Sequence, residues 1–358
     1  MSPDAQQDLA SDQRSAGAQD PGYRGETYNS TSEIVAFKFG GTSLLGADRM
    51  LHAAGLVSDA VTSERNVVVV VSAMKGITDR LLAIVRALEA GCRSDARRDA
   101  EHVLRLHLEV LRDLHLDPSH HDRVARELDY LGKDLQHDAS PQTQSCAAVR
   151  PALQDRIASY GERFSARLFA AALDRSGVPA VPVSSSEFVL TCNNFRDALP
   201  QIEETRRRGR EILLPLFASG LVPVVTGFIG ATPDGRVTTL GRNSSDYSAA
   251  LIAHVVDADE LVIWTDVDGI FTANPHESTE AKLLHELSYD QAHALAAAGA
   301  KVLHPKVLPL AAENKMVVWV RNTFNPQFRG TRIAPASGSD SSVPAPHGCH
   351  NSNFRGAA

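Results

Sequence analysis

Four segments of this 358-residue chain place groups suited to handling phosphate and carboxylate where an apolar run gives way to polar residues. The first, Lys38-Phe39-Gly40-Gly41-Thr42-Ser43, follows the β-branched run at 34–37. Two glycines let backbone N–H groups approach a phosphate closely, and a strand-borne lysine adds a point charge. The spacing is neither a Walker A loop nor a GxGxxG fingerprint, so a plain Gly-Gly turn beside a surface lysine explains it equally well. The second segment, Gly241-Arg242-Asn243-Ser244-Ser245-Asp246, opens a run of small residues. Asn243 or Ser244 is placed to cap the following helix, whose first N–H groups stay open to an anion. Arg242 can hold a carboxylate through two parallel hydrogen bonds. A capped helix with Asp246 complementing its dipole explains part of the pattern, but not the arginine beside the cap.

The third segment runs Trp264-Thr265-Asp266-Val267-Asp268-Gly269-Ile270-Phe271-Thr272-Ala273-Asn274-Pro275. Polar groups at a strand end, followed by Asp-Gly and Asn-Pro turns, suit a nucleoside-binding loop. Two neighbouring aspartates could hold a divalent cation, but the ligand spacing of a calcium loop is absent. The fourth, Gly299-Ala300-Lys301-Val302-Leu303-His304-Pro305, offers a second lysine able to reach phosphates, with His304 read as a structural hydrogen-bonder. The stretch His115-Leu116-Asp117-Pro118-Ser119-His120-His121 lacks partners at ligand spacing and reads as a solvated loop between helices.

These segments need a scaffold that brings strand ends together. Apolar runs at 34–37, 67–71, 222–226, 261–264 and 317–320 are nearly continuous, as in a parallel sheet buried on both faces. Between them, Leu81, Leu82, Ile84, Val85 and Leu88 fall at helical spacing, as do Val103, Leu104, Leu108 and Leu111, then Val124, Leu128, Leu131 and Leu135. Ser288-Tyr289-Asp290-Gln291 is a capping box, with Gly299 where that helix should stop. The alternation predicts an α/β three-layer sandwich around a mostly parallel sheet, whose carboxyl edge is where ligands bind. Residues 1–32 and 334–358 are polar and aperiodic and read as disordered tails flanking a folded unit at 33–333.

Composition removes several function classes. With 43% hydrophobic and 22% charged residues and a net charge of −7, the chain has material for a large core but no basic footprint for nucleic acid. The run Arg206-Arg207-Arg208-Gly209-Arg210 reads as the solvated end of a helix. Cys92, Cys146, Cys192 and Cys349 lie far apart, which points to a reducing compartment. No apolar run is long enough to cross a bilayer and no secretory signal is visible, so a cytoplasmic location is expected.

Taken in order, KFGGTS, VVVVVSAMKGITD, SYGERFSARLFAAAL, VPVVTGFIGATPDGRVTTLGRNSSDYSAALIA, TDVDGIFTANP, ELSYDQAHALAAAGAKVLHPKVL and VRNTFNP resemble aspartokinases of the amino-acid kinase superfamily, over 34–333. The resemblance implies two lobes on one sheet, with about 33–215 holding aspartate and about 216–333 holding ATP with Mg²⁺. It implies that Lys38, Gly40, Gly41 and Ser43 face the transferred phosphate, and that Thr78, Glu162 and Arg242 hold the amino acid. Asp246 would orient the lysines. Thr265, Asp266, Phe271 and Thr272 would hold the nucleoside, and Lys301 the phosphates. No residue is expected to form a metal site of its own. The implied reaction is phosphorylation of the aspartate side-chain carboxylate. Regulatory ACT domains are not seen after the catalytic unit, so freedom from their feedback is expected. The expected partners are a small-molecule amino acid and a second copy of the chain in a homodimer. Ser244, Phe271, Asn274 and His276 depart from the family pattern, and Lys75 puts a cation near the substrate. Two other readings follow: a kinase of this fold acting on a different carboxylate, and a non-catalytic partner of an active kinase. Retention of Lys38 and Lys301 argues against the second.

Overall fold

The computed structural model describes residues 32–140, 150–272, 280–297 and 303–336. Elements follow in the order β1 (Ile34–Phe39), α1 (Ala47–Thr62), β2 (Asn66–Val71), α2 (Ile77–Glu89), α3 (Arg93–Asp113), α4 (Pro118–Asp138) and α5 (Pro151–Arg175). Next come β3 (Ala180–Val183), α6 (Ile202–Ala218), β4 (Val222–Thr226), β5 (Ile229–Ala231), β6 (Val237–Thr239), α7 (Ser245–Val255) and β7 (Glu260–Thr265). The chain closes with β8 (Ile270–Phe271), β9 (Leu283–Leu284), β10 (Glu286–Ser288), α8 (Tyr289–Ala297), α9 (Val307–Glu313), β11 (Val317–Asn322) and β12 (Thr331–Ala334).

Eight strands form one sheet in the order β10-β12-β11-β7-β1-β2-β4-β3, and adjacent strands are parallel except β11 with β12. The expected mixed α/β fold with a mostly parallel central sheet is therefore present. Strand β4 lies between β2 and β3, so the two halves of the chain share one sheet. Side-chain alternation explains the unbroken apolar runs. Val35, Phe37, Phe39, Val67, Val69 and Val71 pack against α1 to α5, while Ile34, Ala36, Val68 and Val70 pack against the opposite layer of α6, α7 and α9. Val67 to Val71 are all at or below 2% exposure, each contributing roughly 1.5–3 kcal/mol of burial free energy.

The capping box forms reciprocally: Ser288 N–H donates to Gln291 Oε1 at 2.8 Å, and Gln291 N–H donates to Ser288 Oγ at 3.1 Å. Other local readings shift. The 34–37 run continues as strand through Phe39, because Lys38 and Phe39 pair with both β2 and β7. The histidine-rich stretch is less of a loop than expected. Asp117 accepts from His120 N–H at 3.0 Å, Pro118 opens α4, and His120 Nε2 lies 3.4 Å from Asp174. The basic run lies inside α6 and pairs with Glu204, Glu211 and Asp257. No helix among the described residues is long and apolar enough to cross a membrane.

Candidate active site

Because β1, β2, β4, β7 and β11 run in one direction, the segments after them emerge at one edge of the sheet. Lys38 shares the alternation of Ile34 and Ala36, which directs it to the face covered by α7. There its Nζ lies 2.7 Å from Asp246 Oδ1, with the two side chains 12% and 22% exposed. The ammonium carries three donors, so the pair with Asp246 leaves others for a ligand.

The two glycines after β1 do different things. A Cβ on Gly41 would stand 2.6 Å from the Ala73 carbonyl oxygen and 2.9 Å from Lys75 N, and Lys75 N–H donates to Gly41 O at 3.1 Å. Gly41 is therefore required by the fold, which seats the loop after β2 on the loop after β1. A Cβ on Gly40 would meet Lys38 Nζ only at 3.5 Å, an ordinary contact. The protein alone does not demand glycine there, and the open space borders the lysine.

Glu162 reaches this edge from α5. Gly161 beside it lets the helix close on Ala73, whose Cβ would lie 2.6 Å from an added one. Glu162 is 3% exposed; Oε1 accepts from Ala73 N–H at 3.1 Å and Oε2 is buried with no partner among the described residues. Burial pushes its carboxyl up to about 8, against the lowering pull of the Ala73 N–H. A buried, unsatisfied carboxylate oxygen is suited to accept from a cationic donor.

Arg242 is exposed, with no hydrogen bond or ion pair among the described residues, three positions after β6. Its approach is set from α5: Asp155 accepts from Thr239 N–H at 2.9 Å, Thr239 Oγ1 at 3.0 Å and Arg196 N–H at 2.8 Å. Asp155 stands about two helical turns before Glu162, so one helix holds both. Thr78 lies half-buried in the first turn of α2.

The expected side-chain cap of α7 does not form. Asn243 takes a left-handed conformation, φ 61°, and is exposed, while Ser244 Oγ is buried with no partner among the described residues. The first N–H groups of α7 thus carry no cap from their own sequence. Phe228 went unnoticed in the sequence. It holds φ 66°, costly for an aromatic residue, between a donated bond to Ser248 Oγ at 2.7 Å and an accepted one from Leu240 N–H at 2.9 Å. No turn signature announces it, since the strain comes from contacts remote in sequence.

At the end of β7, Thr265 is half-buried and the following Asp266 exposed, with Thr265 Oγ1 donating to Asp266 Oδ1 at 3.3 Å. Asp268 is occupied structurally, accepting from Asn322 and Asn325 at 2.8 and 3.1 Å. Phe271 is half-buried in β8. The exposed Thr272 accepts at its hydroxyl from Lys282 N–H at 3.0 Å, which closes the β8–β9 hairpin. Ser43 is fully buried, with its hydroxyl 2.7 Å from that of Thr323. His304 acts structurally, stacked on Tyr247 and accepting from Lys306 N–H at 3.3 Å. Gly299, Lys301, Asn274 and His276 lie outside the described residues.

A cavity of about 800 Å³ lies elsewhere, lined by Arg156, Ser159, Arg163 and Arg167 of α5 with Ser184 and Arg236. None of the expected site residues lines it, and Arg156, Arg167 and Arg236 are paired with Asp138, Glu127 and Asp234. Strand-end chemistry, not concavity, locates the candidate site. Among the described residues no group of three or more His, Cys, Asp or Glu could hold a metal alone.

The amino acid kinase family matches this chain over residues 33–322. Lysine-sensitive aspartokinase 3 of Escherichia coli is 37% identical over 306 residues, 84% of this chain and 64% of that protein. Aspartokinase 1, chloroplastic, of Arabidopsis thaliana is 33% identical over 301 residues, 83% of this chain and 51% of that protein. The chain spans under two thirds of the length of these curated relatives. Among solved structures, E. coli aspartokinase III in complex with aspartate and ADP matches with a TM-score of 0.73 at 32% identity, covering 86% of this chain and 66% of that one.

Proposed function

The chain belongs to the amino acid kinase family, and on that premise we propose that it transfers the γ-phosphoryl group of ATP to the side-chain carboxylate of L-aspartate. The observation that carries this reading is Glu162 Oε2, buried on the helix that also anchors the approach to Arg242 and, among the described residues, without a partner. An unsatisfied carboxylate and a free guanidinium are complementary to the ammonium and α-carboxylate of an amino acid. The relatives with aspartate in their names and titles support the choice of acceptor.

The acceptor carboxylate, with an ordinary pKa of roughly 3.9, is ionised at neutral pH and needs no general base. The protein's task is placement and charge. Lys38, held by Asp246, meets the charge of the moving phosphoryl group, and Gly40 leaves it room. Lys301 is proposed to share that task. Thr265, Asp266 and Phe271 are proposed to hold the nucleoside, with the amino acid on 33–215 and ATP on 216–333. Mg²⁺, arriving on the phosphates, would neutralise part of their charge. A homodimer and a cytoplasmic location belong to the same reading.

ADP formation by the purified chain, measured with MgATP across a panel of amino acids and dicarboxylates, tests it. Aspartate should give the highest kcat/KM. The exposed Lys75, whose backbone rests on Gly41, is the feature that would favour a more acidic acceptor if another carboxylate proved better.

A further inference from the structure

Thr323 is the first residue after β11, and it is fully buried. Its three polar groups each hold a different segment at the carboxyl edge. The N–H donates to Thr265 O at 2.8 Å, at the end of β7. The hydroxyl pairs with Ser43 Oγ at 2.7 Å, just past Gly40 and Gly41. The carbonyl accepts from His52 Nε2 of α1 at 2.6 Å, so that ring nitrogen carries the proton. Because β11, β7 and β1 are consecutive in the sheet, Thr323 crosses the end of β7 to reach the loop after β1.

We infer that Thr323 is a positioning residue that sets the distance between the phosphate-facing loop after β1 and the nucleoside-facing loop after β7. The inference rests on the proposed seat of the nucleotide across these two loops, but not on the identity of the acceptor. The loops come from strands whose pairing with each other ends at Phe39 and Trp264. Gly40 N–H reaches Trp264 O only at 3.4 Å, a weak tie. The buried hydroxyl pair lies farther along and is shielded from competing water, where an oriented hydrogen bond is strongest. Ser43 N–H also donates to Gly40 O at 3.0 Å, so fixing Ser43 fixes the turn bearing both glycines. A nucleotide that must touch both loops at once senses their spacing, whereas a nucleoside touching one does not.

Thr323→Val keeps the branched shape, removes the hydroxyl and strands Ser43 Oγ in a buried site. Thr323→Ser keeps the hydroxyl. The measurement is calorimetric affinity for ADP and for adenosine, with wild type and both variants well below their unfolding temperatures. Thr323→Val should weaken ADP about tenfold or more while leaving adenosine within about twofold, and Thr323→Ser should restore ADP binding. A merely structural role would lower the unfolding temperature without changing the ratio of the two affinities. Ser43→Ala combined with Thr323→Val should cost no more than either alone, because one hydrogen bond is lost in each case. Unchanged ADP affinity in Thr323→Val, equal losses for both ligands, or additive losses in the double variant would each overturn the inference. All these readouts omit the acceptor, so a wrong assignment of aspartate would appear separately, in the ADP-formation panel.

Discussion

Lys38 Nζ, on the central strand β1, lies 2.7 Å from Asp246 Oδ1 in the first turn of α7. The pair ties the strand end to the uncapped helix start and keeps a charged lysine aimed at the space beside Gly40. Replacing Lys38 by Ala removes a charge matched to phosphoryl transfer rather than to amino-acid binding. We expect kcat to fall by roughly 10²–10³-fold while aspartate affinity stays close to wild type. Steady-state kinetics beside equilibrium aspartate binding checks this, and near-native turnover would remove Lys38 from the mechanism.

The carboxyl of Glu162, pushed up to about 8 by burial, gives a pH signature. An incoming ammonium pairs with the ionised form, which is the minority species in the free protein below about pH 8. kcat/KM for aspartate should therefore rise with pH from 6 to about 8 and then level off. A profile that is flat across this interval would show that Glu162 does not take the ammonium.

The same group shapes stability without ligand. Its carboxyl moves from an ordinary 4.5 to about 8 on folding, so between these values the folded chain holds the extra proton. The stability Glu162 contributes is full below 4.5 and is lost as pH rises through about 8. Glu162→Gln stays neutral. Its unfolding temperature should match wild type near pH 4.5 and exceed it by a few degrees at pH 9. A difference independent of pH would contradict the buried, unpaired assignment.

Arg242 and Asp155 should fail in the same kinetic parameter for different reasons. Arg242→Lys keeps charge but loses the planar fork, raising KM for aspartate about tenfold. Asp155→Asn cannot accept the three bonds that hold Thr239 and Arg196, so the segment leading to Arg242 loosens and KM again rises several-fold. KM for ATP should change little in both. A selective rise in KM for ATP would place these residues on the nucleotide side.

The readable parts of the sequence were those governed by local pattern. Five apolar runs became sheet strands because parallel strands buried on both faces leave no polar alternation to blur them. The Ser288–Gln291 box was legible because its partners are three residues apart. Roles fixed by distant partners were not. Nothing local distinguishes Ser43 from a phosphate-facing serine; its neighbour Thr323 lies 280 positions away. Thr272 and Asp155 carry no local sign of their partners, which are Lys282 for the first and Thr239 and Arg196 for the second. The positive φ of Phe228 also arises from long-range bonds, to Ser248 and Leu240.

The most direct test of the proposed reaction is trapping its product. Hydroxylamine intercepts an acyl phosphate, and mass spectrometry of the hydroxamate shows which carboxyl carried the phosphoryl group. Wild-type chain with MgATP and L-aspartate should give the β-hydroxamate in a one-to-one ratio with ADP, and Lys38→Ala about a hundredfold less or lower over the same interval. ADP released without hydroxamate, an α-hydroxamate, or a faster product from another carboxylate would contradict it.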